Sequence, residues 1–76
     1  MLKEYKVAMA TNLRTARRDK GETQEETANS VGVTPSAYAM YETGNRIPRD
    51  EVKFRLADHF GKTVSELFFS LGTHSE

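Results

Sequence analysis

Thr23-Gln24-Glu25-Glu26-Thr27-Ala28-Asn29-Ser30-Val31-Gly32-Val33-Thr34-Pro35-Ser36-Ala37-Tyr38-Ala39-Met40-Tyr41-Glu42 contains two helix starts and one helix stop within twenty residues. Thr23 and Glu26 form a capping box: the threonine hydroxyl accepts from the Glu26 amide, and the Glu26 side chain reaches back to the Thr23 amide. The helix it opens runs to about Ser30 and breaks at Gly32, after which Val33 can turn inward. Thr34 then caps a second helix with Pro35 at its first position, where no amide bond is lost. That helix ends at Glu42 or Thr43, with Gly44 supplying a left-handed cap. Two short helices joined by a turn this tight let the second stand out from the body, a shape that fits the major groove of a duplex.

The flanking sequence supplies a body to hold that pair. Leu2, Tyr5, Met9, Leu13 and Ala16 step by three or four, the stripe of an amphipathic helix ending near Lys20-Gly21. Arg14, Arg17, Arg18 and Lys20 load its C-terminal end, where positive charge suits the helix dipole. Beyond a loop over Asn45 to Arg49, Val52, Leu56, Ala57 and Phe60 mark a fourth helix closed by Gly61. Thr63-Val64-Ser65-Glu66 is a second capping box, opening a short fifth helix with Val64, Leu67, Phe68 and Leu71 on one face. The expected fold is all-α, a compact five-helix globule over 1–71 with a flexible polar tail over 72–76.

Composition narrows the setting. The chain has 76 residues, so one domain is expected, and a core of this size depends on caps, tight packing or a partner subunit. It has no cysteine, which excludes disulfides and thiolate metal clusters and fits a reducing cytoplasm. No signal peptide or membrane span is expected: no stretch approaches the roughly 18 apolar residues a span needs. Eleven Lys and Arg balance eleven Asp and Glu. Duplex-binding domains often carry a basic excess, so attraction to a polyanion must here come from how charge is arranged.

Gly21-Glu22-Thr23-Gln24-Glu25-Glu26-Thr27-Ala28, Val31-Gly32-Val33-Thr34, Ser36, Tyr41-Glu42-Thr43-Gly44-Asn45-Arg46 and Pro48 together resemble the Cro and phage-repressor helix-turn-helix family. This is also called the xenobiotic-response-element family of bacterial regulators. Leu56-Ala57, Phe60-Gly61 and Val64-Ser65-Glu66-Leu67-Phe68 extend the likeness, which spans roughly Met9 to Phe68. The resemblance implies a lambda-repressor-like domain, dimeric on a near-palindromic double-stranded DNA operator, with no cofactor, metal or small-molecule substrate. It implies that Gln24 meets a phosphate and that Arg17 pairs with Glu42. It places base-edge contacts at Pro35, Ser36, Ala37, Ala39 and Met40, beside the capping residues Thr23 and Thr34, and backbone contacts at Asn45 and Arg46.

The sequence departs from the family in its reading positions, at Thr27 and at Glu22. Only Ser36 among the five reading positions is polar, so the expected readout is thymine-methyl contact, Ser36 itself, and DNA shape read through phosphates. Thr27 stands where a leucine is usual, which calls for a large compensating neighbour such as Tyr38 or Tyr41. Glu22 stands where an apolar residue is common, and with Glu25 is expected to point away from DNA.

Other residues have two readings. Tyr38 and Tyr41 either fill the core or serve in stacking or phosphate contact, with the core favoured. Arg14, Arg18 and Lys20 are either phosphate contacts or a solvated helix end, and Arg49 either touches the backbone or flanks the fourth helix. His59 and His74 read as surface histidines, and no catalytic or metal constellation is visible. Phe68, Phe69 and Leu71 exceed one short helix face. Phe68 is expected in the core and Phe69 exposed, so this end is either a dimer interface or folded back over the first helix, where Leu2 and Tyr5 could meet Phe69. The rival functions are a protein-interaction module that no longer binds DNA, and an antitoxin that holds a protein partner through its C-terminal aromatics.

Overall fold

The computed structural model describes residues 2–70, so Leu71, His74 and the tail over 72–76 lie outside the described residues. Within them run α1 (Leu2–Lys20), α2 (Gln24–Val31), α3 (Pro35–Glu42), α4 (Asp50–Phe60) and α5 (Val64–Phe68). No strand occurs among the described residues. Both capping boxes form, each with the threonine accepting from the third helical amide and the glutamate accepting in return. Thr34 caps α3 through the Ala37 amide at 3.0 Å.

The turn between α2 and α3 depends on Gly32, which has φ +77°. An L side chain rarely adopts that backbone, and glycine adopts it freely. Its amide and that of Val33 both close on the Ala28 carbonyl, and Val33 packs on the core. Arg55 in α4 donates to the Val31 carbonyl at 3.3 Å, so the last turn of α2 is capped from outside as well.

α1 is the strut of the fold, packing on α3, α4 and α5, while α2 sits between α3 and α4. Met9, Leu13 and Ala16 from α1 meet Ala28, Val31, Tyr38, Tyr41, Val52, Leu56, Leu67 and Phe68 in a single core. Tyr38 is fully buried and Tyr41 nearly so, their rings edge to face at 6.2 Å. Removing a buried side chain such as Leu56 would cost about 2–5 kcal/mol. Asn12, half-buried on α1, donates to the carbonyls of Leu67 and Ser70, both at 3.1 Å, and ties the end of α5 to the strut.

Candidate nucleic-acid interface

The outward helix α3 is held from behind by one buried carboxylate. Glu42 is 1% exposed. Arg17 grips it with two bonds, Nε to Oε2 at 2.7 Å and Nη2 to Oε1 at 3.1 Å. The remaining Arg17 nitrogen donates to the Glu22 carbonyl at 2.9 Å, so one guanidinium joins α1, the α1–α2 turn and α3. Burial by itself would raise the Glu42 pKa. The groups around it outweigh that and hold it below its usual value, Arg17 foremost, then the Tyr38 hydroxyl and the Gln24 amide. The Tyr38 hydroxyl lies beside this pair without a hydrogen bond of ordinary geometry. Burial, then the Glu42 charge, pushes its pKa well above the usual phenol range.

Gln24 is only partly available to a phosphate. Its Nε2 donates to Glu42 Oε1 at 3.0 Å, which leaves one side-chain N–H and the Gln24 and Glu25 amides at the start of α2 for an anion, the Glu26 amide being taken by the Thr23 cap. Thr23 and Thr34 are exposed, and their oxygens are engaged as cap acceptors. Each hydroxyl keeps its O–H as a donor.

The five expected reading positions divide. Pro35, Ser36 and Met40 are exposed on α3, while Ala39 is half-buried. Ala37 is half-buried: it packs against the core and lines a cleft toward α4. Thr43, not singled out by sequence, is exposed three residues beyond Met40 and extends the outward row. Asn45 and Arg46 are exposed in the loop that follows. Arg46 and Arg49 flank the mouth of the cleft, which measures about 420 Å³.

Several side chains are placed otherwise than expected. Arg14 is not a solvated helix end: it is half-buried, and its guanidinium donates to the Glu42 carbonyl and caps α3. His59 is not a free surface histidine, because its Nε2 lies 2.7 Å from Glu22 Oε1. Phe68 is in the core as expected, 1% exposed, which leaves it little surface for the dimer contact also assigned to it. Phe69 is 62% exposed but stacks on Tyr5 of the same chain at 6.0 Å, with Lys53 over its ring. Phe54 in α4 is equally exposed. No periodicity flags it, since it sits outside the apolar stripe of its helix.

The arrangement is thus a braced pair of short helices, its second member open along one side. A helix-turn-helix family model matches residues 13–67, which includes every element just described except the first part of α1 and the last residue of α5. The chain belongs to the helix-turn-helix family. Over 58 residues this helix-turn-helix chain is 34% identical to the cryptic phage CTXphi transcriptional repressor RstR of Vibrio cholerae. The match covers 76% of this chain and 52% of RstR, so the chain spans about half the length of that curated relative. The solution structure of the SOS-response transcriptional repressor LexA from Eubacterium rectale is similar, with 33% identity and a TM-score of 0.79. It covers 83% of this chain and 67% of the LexA chain. The clp gene regulator ClgR from Corynebacterium glutamicum also has a TM-score of 0.79, at 25% identity, covering 88% of this chain and 71% of its own. The five helices of this helix-turn-helix chain therefore share the fold of these regulators.

Proposed function

We propose that this chain is a sequence-specific double-stranded DNA-binding transcriptional regulator of the repressor type. It lays α3 in the major groove, with the α2 N-terminus and the loop at Asn45 and Arg46 on the backbone. The observation that carries this reading is the Arg17–Glu42 brace, which holds α3 from its buried side while Ser36, Met40 and Thr43 stay open. The likeness to RstR, LexA and ClgR supports it. The protein acts as a homodimer on a near-palindromic site in the cytoplasm. Phe69 is the described residue best suited to the dimer contact.

The neutral total charge is compatible with this role because several basic side chains are already paired with carboxylates of the same chain, one pair buried and two on the surface of α4. Arg17 is committed to Glu42, Arg55 to Glu51 and Lys53 to Asp50. Arg46 and Arg49 stand beside α3. Operator selection from random duplexes, followed by binding across a salt series, tests the proposal. A regulator enriches a defined site, and its affinity falls steeply with salt. Absence of duplex binding even at low salt would assign the open α3 face, with its exposed Met40, to a protein-interaction module instead.

A further inference from the structure

α1 begins at Leu2, so its residues 2–12 precede the stretch matched by the family. This segment does not project into solvent alone. Lys3, Lys6 and Val7 form one wall of a groove of about 490 Å³, and Thr43, Gly44 and Asn45 form the other. Gly44 sets how closely the walls approach: a Cβ there would stand 3.1 Å from the Lys6 carbonyl oxygen. Its φ of +77° also favours glycine. The α3–α4 turn is therefore seated directly on the backbone of α1, and the lysines are placed by that docking.

The position of the groove is informative. Thr43 continues the outward row of α3 beyond Met40, so the groove opens at the end of the face offered to DNA. Lys3 is exposed and Lys6 half-buried, and neither takes part in a salt bridge among the described residues. Arg17, Lys53 and Arg55, by contrast, are paired with carboxylates. An ammonium group on a flexible stem suits a phosphate as a mobile point charge, and the Asn45 amide beside it can donate to the same oxygens.

We propose that Lys3, Lys6 and Asn45 form an additional phosphate site, through which α1 grips the duplex backbone flanking the segment read by α3. The inference rests on the DNA-binding reading above. It gives this chain a backbone clamp outside the family core and places basic charge where a neutral protein needs it.

The test uses the full chain and the duplex enriched by selection. Lys3→Gln/Lys6→Gln is compared with Lys3→Arg/Lys6→Arg and with Lys62→Gln, a charge control on the groove between α1 and α5. Thermal melts establish that all variants fold. Each released phosphate contact contributes about 0.9 to the slope of log affinity against log salt, so the double glutamine variant should lose ~2 from that slope per bound protomer, or ~4 for a homodimer on its site. Its base preferences should be unchanged, and the double arginine variant should keep the wild-type slope. An unchanged slope in the glutamine variant overturns the site and leaves the DNA-binding reading standing. An equal loss per charge in Lys62→Gln does the same. A wild type that binds no duplex at low salt overturns both.

Discussion

The Thr27 hydroxyl donates a 2.7 Å hydrogen bond to Glu22 Oε1, the same oxygen that lies 2.7 Å from His59 Nε2. Thr27 is fully buried and the Glu22 side chain is 18% exposed. The two residues that depart from the family's apolar preference therefore explain each other. The threonine is compensated by a carboxylate acceptor, not by a larger ring, and that carboxylate links the α1–α2 turn to α2 and α4.

This link should be cooperative. Thr27→Val keeps the volume and loses a hydrogen bond to a charged group, worth about 1.5–3 kcal/mol, partly offset by the added methyl. In a Glu22→Ala background the same substitution should cost little or improve stability. Urea melts of the two single variants and the double variant give a coupling of ~1 kcal/mol or more. Strict additivity would mean the bond contributes nothing.

Among the carboxylates held below their ordinary pKa, Glu22 and Glu42 are the two enclosed by the fold, and acid should act through them. For Glu22, burial raises the pKa, but the bonds from His59 and Thr27 outweigh it and the net shift is downward. For Glu42 burial is likewise outweighed, chiefly by Arg17. A carboxyl whose folded pKa lies below its ordinary 4.5 binds protons more weakly folded than unfolded. Its contribution is complete above that value and is lost as pH falls through the folded pKa. Stability measured from pH 7 downward should stay level to about pH 5 and then decline. In Glu22→Gln the decline should be shallower; an acid limb identical to wild type would exclude Glu22 from it.

Breaking the brace should damage the fold before it touches DNA binding. Arg17→Ala leaves the 1%-exposed Glu42 carboxylate without its main partner, at a cost of about 3–5 kcal/mol. Replacing both residues, as Arg17→Met/Glu42→Leu, should recover most of that loss, because a packed apolar pair avoids the desolvation penalty. Circular-dichroism melts decide it: an Arg17→Ala protein that melts like wild type would show the pair to be ornamental.

The helix order was legible because its signals are local. Thr23 with Glu26, Thr63 with Glu66, Thr34 with Pro35, and the glycines that end helices each declare a boundary within four residues. What escaped the sequence depends on distant partners. Arg14 and Glu42 are 28 positions apart, His59 and Glu22 are 37 apart, and Asn12 and Leu67 are 55 apart. A charged helix end reads the same whether its arginine meets solvent or another helix's carbonyl. Within the site, the register of α3 could be counted, but which side of Ala37 faced α4 followed only from the packing.

Two glycines with almost the same backbone should respond differently to alanine. Gly21 has φ +78° and nothing within 4 Å of an added Cβ. Gly44 has φ +77° and the Lys6 carbonyl oxygen at 3.1 Å. Gly21→Ala should lose about 1–2 kcal/mol, the left-handed penalty alone. Gly44→Ala pays the same penalty and must also lift the turn off α1, so its melting temperature should fall further. Equal losses would mean that the seat of the α3–α4 turn on α1 is loose.

Contacts that position the protein and contacts that read bases should separate by mutation. Arg46 is exposed in the loop beyond α3 and lines no side-chain bond among those described. If it holds a phosphate, Arg46→Ala lowers affinity for every duplex alike and takes ~0.9 per bound protomer from the salt slope, leaving the selected sequence unchanged. Ser36 and Met40 occupy the open face of α3, one a short hydroxyl and the other an apolar chain suited to a thymine methyl. Ser36→Ala and Met40→Gln should therefore alter which base is preferred at one position each, by about 1 kcal/mol or more per altered contact, with the salt slope unmoved. The Ala37→Gln chain, by contrast, would be directed toward the α4 cleft, so it should cost stability rather than change the selected sequence. Repeating the selection with each variant checks this assignment. A shift in base preference from Ala37→Gln, with none from Ser36 or Met40, would show that α3 enters the groove by its other side.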